Sequence, residues 1–239
     1  MDIRSFYEIE GLVTRRYDSH NFWERRYHQK KALLVFTVLN SVVHQNDMIL
    51  DAGCGSGELC RSAENLGGRV IGLDISKSYL RRASVFVGNR ICASLDHLPF
   101  RPSAFDVVLC ADVIEHIPAY DKVLAELYRV SRRVVVITTP CKGIIRELYS
   151  RLFPEELAYI DKEVGHIHIL PLFELRQKLL NFNWTVSCRS YHVIQPIADK
   201  FISKKLVRIV DLFEKIANVF LPEQGTISLV ILTHNSILT

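Results

Sequence analysis

The chain has 239 residues, of which 49% are hydrophobic and 23% are charged. This balance is typical of a globular protein with a sizeable core, and it excludes a disordered or low-complexity chain. The formal net charge of +4 lacks the concentrated basic footprint of a nucleic-acid binder, so no nucleic-acid partner is expected.

Targeting and redox signals are also informative. The first residues lack the continuous apolar core of a signal peptide, and no apolar run is long enough to span a bilayer. The six cysteines form no CxxC pair, and most lie in or beside apolar runs, where a reduced thiol behaves as a small hydrophobic group. This pattern disfavours a disulfide framework or a zinc site and predicts a reducing, cytoplasmic location.

Helical and extended segments alternate over the first 140 residues. Apolar residues at helical spacing predict a first helix from Asn21 to about Val43. Apolar and β-branched runs then predict strands at 47–50, 69–73, 90–93, 105–110 and 134–138, with helices at 58–66, 76–86 and 119–130. Strands that alternate with helices in this way indicate an α/β fold, with a mostly parallel sheet and helices on both faces.

After Pro140 the alternation is less regular. Residues 142–165 are predicted to be helical, and they are followed by a helix at 172–181, a strand at 184–194, a helix at 197–220 and a strand at 226–233. No Gly-, Pro- or Ser-rich linker separates the two parts of the chain. We therefore predict a single domain over 1–239, with an insertion after the fifth strand.

A glycine-rich loop, Asp51–Gly57, connects the first predicted strand to a helix. Glycines allow a tight turn and the close approach of a ligand. A dinucleotide-binding loop has the spacing GxGxxG, with its third glycine at what is here Glu58 and a pyrophosphate at the helix N-terminus. The acidic Asp51 and Glu58 disfavour a pyrophosphate and favour a ligand that carries a sulfonium and an ammonium group. This favours S-adenosylmethionine over NAD.

Asp74 closes the next predicted strand, 17 residues after Gly57. A carboxylate at this position can accept hydrogen bonds from both hydroxyls of a ribose. The alternative is that Asp51 is an ordinary strand-end residue and that Asp74 only caps the helix near Ser76. The loop and the acid at this spacing together favour the cofactor interpretation.

Several motifs in order resemble the class I S-adenosylmethionine-dependent methyltransferases, in particular the type 11 group that includes ubiquinone and menaquinone biosynthesis enzymes. The matching segments are LDAGCGSG, GLDIS, SLDHLPF (94–100), FDVVLCADVIEHI (105–117), LAELYRVSRRVVVITTP (124–140) and GHIHILPLFELRQKLLNFNW (165–184). The resemblance implies a Rossmann-like, seven-stranded, mostly parallel sheet with an antiparallel last strand and helices on both faces. It also implies an N-terminal helical cover (1–45), a cofactor-binding half (46–140) and an acceptor-side half with a helical insertion (141–239).

The resemblance also assigns residues to S-adenosylmethionine, which leaves as S-adenosylhomocysteine. Asp51, Gly53 and Gly55 contact the methionine part within a loop that also includes Cys54 and Gly57, and Asp74 binds the ribose. The adenine is expected to meet Ile75, the backbone of Ser94 and Leu95, and a floor formed by Cys110 and Ala111. Two departures stand out: the usual acid at position 94 is serine, and VSRR replaces the usual LKPGG turn before the fifth strand.

The N-terminal helix is a candidate cover for the cofactor. Its Arg26 or Tyr27 is predicted to touch the cofactor carboxylate, and we take Tyr27 as the candidate binding residue. Ordinary helix packing is the alternative interpretation of the same residues.

Methyl transfer from a sulfonium is a direct displacement that positioning and desolvation can drive, so a general base is optional. The candidates are His116, as a base, and His166, as a residue that positions the acceptor. Asp112, Glu115 and His116 form a D-x-x-E-H pattern that resembles a magnesium-binding cluster in some ubiquinone-pathway O-methyltransferases. The alternative is that Glu115 caps the following helix. His166 and His168 could also bind a metal, but the sequence names no further ligands, and no metal is expected.

The acceptor is expected to be a small or lipid-like molecule methylated on oxygen or carbon. CADVIEH stands where enzymes that methylate amino groups carry Asn/Asp-Pro-Pro-Tyr/Phe. Lysines and arginines beside a broad apolar face at 197–220 predict either peripheral contact with an anionic membrane or a core-facing helix with basic edges. A non-catalytic cofactor-binding module is the alternative function, and Glu58 disfavours a nicotinamide oxidoreductase.

Overall fold

The computed structural model describes residues 22–182, 184–193 and 203–234. Seven strands lie in this part of the chain: β1 (Met48–Ala52), β2 (Arg69–Asp74), β3 (Asn89–Cys92), β4 (Phe105–Ala111), β5 (Ser131–Pro140), β6 (Trp184–Tyr191) and β7 (Ile227–His234). They form one sheet in the order β3-β2-β1-β4-β5-β7-β6. Strands β1 to β5 pair in parallel, and β7 runs antiparallel to both β5 and β6. The predicted Rossmann-like sheet with an antiparallel last strand is confirmed.

The described helices are α1 (Phe22–Val42), α2 (Glu58–Asn65), α3 (Lys77–Ala83), α4 (Tyr120–Val130), α5 (Ile144–Leu152), α6 (Pro154–Val164), α7 (Leu172–Leu179) and α8 (Val207–Phe220). Short 3-10 turns at Ile114–His116 and Lys204–Leu206 precede α4 and α8. Among these helices, none is both long enough and apolar enough to cross a membrane.

The chain reverses its direction of travel across the sheet between β1 and β4. From β1 it moves outward to β2 and β3, and it then crosses back to β4 on the other side of β1. In open α/β sheets, ligands bind in the crevice at the carboxyl ends of the strands at such a switch point. The topology therefore indicates a ligand site at the carboxyl ends of β1, β2 and β4.

The centre of the sheet forms the core. Val107, Val108, Val135 and Ile137 on β4 and β5 are fully buried, and burial of each such side chain contributes roughly 1.5–3 kcal/mol. Apolar residues of α4 and α7 pack on one face of the sheet in the largest hydrophobic cluster. This rigid layer fixes the strand ends from which the candidate site is built.

Several predicted boundaries need correction. Strand β1 extends beyond 47–50 to Ala52 and therefore includes Asp51. The predicted helix at 142–165 is two helices, because Pro154 lacks a backbone N–H and disfavours the helical conformation at Phe153, whose φ is −140° and ψ is 59°. Within the predicted helix at 197–220, the described residues are helical from Lys204 onward, and residues 197–202 lie outside the described part of the chain.

Helix α1 is tied to α8 by a buried ion-pair network. Arg26 Nη1 and Nη2 donate to Glu214 Oε1 and Oε2 at 2.8 and 2.6 Å, and Arg26 Nη2 also donates to Asp211 at 2.6 Å. Lys30 Nζ lies 2.5 Å from Glu214 and 2.6 Å from Asp211. Trp23, which is fully buried, packs beside this network. The predicted contact between Arg26 and the cofactor carboxylate is therefore wrong, because Arg26 faces α8.

Candidate active site

A cavity of about 980 Å³ lies at the switch point, between the carboxyl ends of β1, β2 and β4 and the face of α1. This volume is within the range of small-molecule and cofactor sites. Nine of the predicted cofactor residues line it: Asp51, Gly53, Cys54, Gly55, Asp74, Ile75, Ser94, Leu95 and Ala111. The fold thus brings together residues that are spread over 60 positions of the sequence.

The glycine loop contains three residues with positive φ, Gly53, Gly55 and Gly57. Gly53 has φ +86°, and a Cβ placed there would lie 2.4 Å from Cγ2 of Val113. The backbone N–H groups of Gly53 and Cys54 donate to the carbonyl of Leu73 at 2.7 and 2.9 Å, which fixes the turn to β2. Gly55 has φ +53°, and no described atom lies within 4 Å of a Cβ added there. Gly53 is therefore required by packing, whereas Gly55 leaves room for a ligand.

Asp74 organises the loop as well as facing the cavity. Its Oδ2 accepts from the backbone N–H of Gly55 at 2.9 Å, and its Oδ1 accepts from that of Ser76 at 2.7 Å. Ser76 is the N-cap of α3 and accepts from Tyr79 N at 3.4 Å. The capping and ligand-binding interpretations of Asp74 are therefore compatible, because each carboxylate oxygen keeps a second lone pair.

Asp51 is a buried acid at the base of the cavity. It is 2% exposed, and its Oδ2 accepts from the Cys60 thiol at 3.1 Å. Burial, together with the nearby charges of Glu58 and Asp74, raises the pKa of Asp51 to about 7, against the opposing effect of the Cys60 thiol. A cationic ligand would favour the ionised carboxylate, which is the electrostatic preference expected for a sulfonium and ammonium compound.

The segment after β3 supplies an acid that the sequence analysis missed. The Ser94 hydroxyl donates to the Asp96 carboxylate, and Asp96 also lines the cavity. Ile75 lies at the same end with 69% of its surface exposed. A carboxylate two residues after position 94 therefore lies in the cavity lining, and the S-x-D spacing was the signal that could have identified it.

Helix α1 covers the cavity with a different face from the one predicted. His28, Lys31, Ala32 and Val35 line the cavity at helical spacing. Tyr27 points away, packs against Val193 and Ile227, and has its pKa raised to about 12 by burial. One residue of rotation on a helix, about 100°, separates Tyr27 from His28.

Two other predicted residues also lie outside the lining. Gly57 is the N-cap of α2, and Cys110 is fully buried within β4, where burial raises the pKa of its thiol. Cys110 is the residue before the cavity-lining Ala111 on the same strand, so its side chain points to the opposite face of the sheet. Their predicted contacts with the cofactor remain predictions.

An ion pair crosses the mouth of the cavity. The Lys31 ammonium contacts the Asp112 carboxylate, and both residues line the cavity. Asp112 has a positive φ of 55°, which is unusual for a residue other than glycine, and its N–H donates to the Thr138 carbonyl at 2.9 Å. Strained backbone of this kind is concentrated at functional sites.

His116 lines the cavity, and its neighbour Glu115 is buried behind it. The Glu115 Oε2 accepts from the Thr139 hydroxyl at 3.1 Å, so this side chain bonds to β5 and does not cap α4. Burial, with the charge of Asp112 second, raises the pKa of Glu115 to about 8. His116 Nδ1 lies 2.9 Å from the Gly165 carbonyl, which accepts a hydrogen bond from this nitrogen.

His166 lies behind His116 and outside the cavity lining. The two ring centroids are 5.1 Å apart, and His166 Nδ1 lies 3.4 Å from Asp161 Oδ1. Burial lowers the pKa of His166. His168 packs instead on the Tyr120 ring, at 5.1 Å, so the two histidines of GHIHI have different neighbours.

Family models match two overlapping segments of the chain. A methyltransferase domain model matches residues 50–137, and a DNA methylase model matches residues 5–85. The segment common to both, 50–85, contains the glycine loop and Asp74. The two matches therefore agree on the cofactor-loop region.

Curated relatives match a little over half of the chain. The malonyl-[acyl-carrier protein] O-methyltransferase of Serratia marcescens is 30% identical over 137 residues, which are 56% of this chain and 52% of that protein. The demethylmenaquinone methyltransferase of Lactobacillus johnsonii is 30% identical over 155 residues, 57% and 59% of the two chains. The chain thus spans about half the length of these relatives.

The solved structure of magnesium protoporphyrin IX methyltransferase from Synechocystis PCC 6803 with bound S-adenosylmethionine matches with a TM-score of 0.61. The identity is 15% over 98% of both chains, so this likeness concerns the fold. Together with the family model and the relatives, it confirms the resemblance that the motifs predicted: the chain is similar to the class I S-adenosylmethionine-dependent methyltransferases, in sequence over residues 50–137 and in fold over nearly its whole length.

Proposed function

We propose that this chain is an S-adenosylmethionine-dependent methyltransferase that acts on oxygen or carbon of a small or lipid-like acceptor. The observation that carries the proposal is the single cavity that gathers the glycine loop, Asp74 and the Ser94–Asp96 segment. The open space above Gly55 and the buried Asp51 carboxylate suit a cofactor with a cationic end.

Each part of the cavity has a role in holding the cofactor, which when bound supplies an activated methyl group on a sulfonium. Asp51 and Glu58 provide negative charge near the glycine loop, and Asp74 offers its remaining lone pairs to the ribose hydroxyls. Ile75 packs on the adenine, and Asp96 accepts from its amino group. The α1 face that carries His28 and Lys31 excludes water from the far side.

His116 is the candidate base on the acceptor side. Because the Gly165 carbonyl can only accept, His116 Nδ1 carries the proton and Nε2 keeps its lone pair. That nitrogen could take the proton of an acceptor hydroxyl as the new bond to carbon forms. His166 supports the His116 ring from behind and acts by positioning it.

The acceptor class rests on two features. CADVIEH replaces the motif of enzymes that methylate amino groups, and the relatives are named for a malonyl carrier and a demethylmenaquinone. The alternative of a non-catalytic binding module would retain the cavity and lack turnover.

Peripheral membrane contact would suit a lipid-like acceptor, and α8 supports it. Within the described part of the chain, α8 packs on the fold through one face, which carries Val210, Glu214 and Ala217. The other face leaves six large apolar side chains about half or more exposed: Ile209, Leu212, Phe213, Ile216, Val219 and Phe220. The basic residues Lys205, Arg208 and Lys215 lie beside them and would favour anionic lipid. The alternative of a core-facing helix explains the buried stripe of α8 but not its exposed apolar side chains.

Methyl-donor consumption across a metabolite and lipid extract tests the enzymatic proposal. We expect turnover in the wild type, loss of turnover with Asp74→Ala, and wild-type turnover with Asp121→Ala, a surface aspartate that pairs with Lys178. Calorimetric titration with S-adenosylhomocysteine and NADH is the second measurement. Tight NADH binding without S-adenosylhomocysteine binding would overturn the proposal, and binding without any turnover would favour the non-catalytic module.

Co-sedimentation with vesicles tests the membrane contact. At low salt we expect binding to vesicles of phosphatidylglycerol and little binding to phosphatidylcholine. The double variant Phe213→Ser/Phe220→Ser should lose this binding, whereas Val85→Ser, which removes an equally exposed apolar side chain near the opposite sheet edge, should retain it. Equal sedimentation of the double variant and the wild type would contradict the assignment to α8.

A further inference from the structure

A cluster of two histidines and one glutamate lies directly behind the cavity. Glu115 and His116 belong to the 3-10 turn after β4, and His166 follows the end of α6. One donor atom from each of the three residues lies within 4.8 Å of the others. The sequence alone offered no further ligand for His166, because Glu115 and His166 are 51 positions apart.

The cluster is held together by backbone contacts. The Glu115 carbonyl accepts from the N–H groups of Ile167 and His168 at 2.8 and 3.1 Å. The Gly165 carbonyl in turn accepts from His116 Nδ1 at 2.9 Å. Three hydrogen bonds therefore hold residues 165–168 against the turn. The fold itself thus positions the three side chains near one another.

The Glu115 carboxylate supplies an independent indication of a ligand. Its side chain has no exposed surface, and Oε2 accepts from Thr139. Its Oε1 is buried, has no hydrogen-bond partner among the described residues, and lies 4.0 Å from His116 Nε2. A buried acceptor without a partner costs roughly 1–3 kcal/mol and so needs a compensating interaction. A cation between Oε1 and the imidazoles would provide one.

Both imidazoles also have the outer partners that metal ligands require. A ligating histidine usually donates its other ring N–H to a carbonyl or a carboxylate, which fixes the tautomer. Here His116 Nδ1 faces the Gly165 carbonyl, and His166 Nδ1 lies 3.4 Å from the Asp161 carboxylate. In each ring Nε2 is then the nitrogen with the available lone pair.

We propose that Glu115, His116 and His166 bind a divalent transition-metal ion, such as Zn²⁺ or Co²⁺, beside the cavity. Two imidazole nitrogens and one carboxylate oxygen suit such ions, whereas Mg²⁺ prefers oxygen ligands only. The donor set differs from the acidic D-x-x-E-H cluster, because Asp112 pairs with Lys31 and His166 takes its place. Three protein ligands leave a fourth position open, as in catalytic zinc sites.

The position of the ion indicates a role in activating the methyl acceptor. This role rests on the proposed function. His116 lines the cavity, so the open position can receive the acceptor oxygen. Coordination lowers the pKa of a hydroxyl, whose proton passes to water, and the oxygen forms its bond to carbon as the carbon–sulfur bond breaks. In the metal-loaded protein His116 is then a ligand, and the ion replaces it as the group that activates the acceptor.

Titration of the metal-free protein with CoCl₂ tests the site without any turnover. We expect one ion per chain by calorimetry, and a visible absorption spectrum of nitrogen and oxygen ligands without a thiolate charge-transfer band. The variants His116→Ala and His166→Ala should each weaken binding by more than about 10-fold, and Asp161→Asn, an outer partner, by about 10-fold. The exposed His97→Ala and His44→Ala should bind as the wild type.

S-adenosylhomocysteine titration of the same variants separates this inference from the proposed function. His166→Ala should keep wild-type affinity for it, because His166 does not line the cavity. Absence of stoichiometric cobalt binding, a thiolate band, or unchanged binding in both histidine variants would overturn the metal site while leaving cofactor binding intact. Cobalt binding without S-adenosylhomocysteine binding would instead keep the metal site and overturn the proposed function.

Discussion

The two halves of the molecule build their parts of the site in different ways. In residues 46–140, the lining residues lie at strand ends: Asp51 is the penultimate residue of β1, Asp74 ends β2 and Ala111 ends β4. In residues 141–239, the segment 165–168 reaches the site by docking on the turn at Glu115, behind the cavity. Parallel strands bring their carboxyl ends to one edge of the sheet, so residues at those ends lie together. A docked segment reaches the site only through contacts between residues that are distant in the sequence.

Helix α1 joins these two halves. Its Lys31 pairs with Asp112 at the cavity, and its Arg26 pairs with Glu214 on α8. The two contacts lie on different faces of one helix, so they can be disrupted separately. Variants at each contact therefore test whether cofactor binding and the packing of α8 are independent properties.

The largest effect on stability is expected from Arg26→Ala. It removes a bidentate partner from the buried Glu214 carboxylate, and breaking a buried ion pair typically costs about 3–5 kcal/mol. Because Lys30 still pairs with Glu214 in the variant, we expect a loss at the lower end of this range. Urea unfolding at pH 7 measures the loss. Arg81→Ala, on the exposed surface of α3, should stay within about 0.5 kcal/mol of the wild type. A loss below 1 kcal/mol for Arg26→Ala would show that α8 does not depend on this contact.

Substitutions in the glycine loop are expected to lower stability less than Arg26→Ala, but they should separate effects on folding from effects on ligand affinity. Gly53→Ala should cost roughly 2–3 kcal/mol, because the new Cβ meets Val113 and the left-handed conformation disfavours alanine. Gly55→Ala should cost about 1 kcal/mol, since its Cβ enters open space, yet it should weaken S-adenosylhomocysteine binding by more than about 10-fold. Unfolding and calorimetry together separate the two positions. Wild-type affinity in Gly55→Ala would mean that the ligand does not approach this backbone.

The glycine-loop part of the site was predictable because its residues are close together in the sequence. Asp51, Gly53 and Gly55 lie within five residues, and the fold keeps them together at one strand end. Tyr27 was a less secure prediction, because one residue of error on a helix rotates a side chain by about 100°. No local pattern could place His166 against Glu115, since that contact depends on how α6 ends and how the following segment docks.

The Ser94–Asp96 pair shows an intermediate case. The sequence correctly located the segment at the cavity, but the comparison with the usual motif drew attention to the missing acid at 94 and away from the acid at 96. A hydroxyl that bonds a carboxylate two residues later is a short-range arrangement, so the sequence contained the signal. Whether a site residue can be predicted from sequence therefore depends on how far apart its contacts lie in the chain, as much as on how well it matches a motif.

The pH dependence of stability compares the buried acids of the two regions. Folding raises the pKa of Asp51 from 3.8 to about 7 and that of Glu115 from 4.5 to about 8, in both cases mainly through burial. Because the folded state then binds more protons than the unfolded state, each acid contributes stability at low pH that is lost as the pH rises toward 7 or 8. Across pH 5 to 7 each contributes a slope of up to about −1.4 kcal/mol per pH unit.

Burial also raises the pKa of Glu64, which adds to the trend, whereas other groups act in more acidic solution or oppose it. Asp106 and Asp211 have lowered pKa values, so the stability that they contribute is lost only in more acidic solution. Burial lowers the pKa of His166, which makes stability rise as the pH rises through the usual range of histidine. The difference between wild type and variant isolates each carboxyl group from these contributions.

Urea unfolding of the ligand-free protein at several pH values between 5 and 8 is therefore the measurement. Asp51→Asn and Glu115→Gln should each flatten the decline in stability relative to the wild type, with the Glu115 difference extending to higher pH. Asp121→Asn, a surface carboxylate, should leave the slope unchanged. If Asp51→Asn alone flattened the decline, Glu115 would already be ionised at pH 5 in the folded protein. Its buried oxygen would then have a cationic partner in solution, and chelation of metal before unfolding should restore the Glu115 contribution.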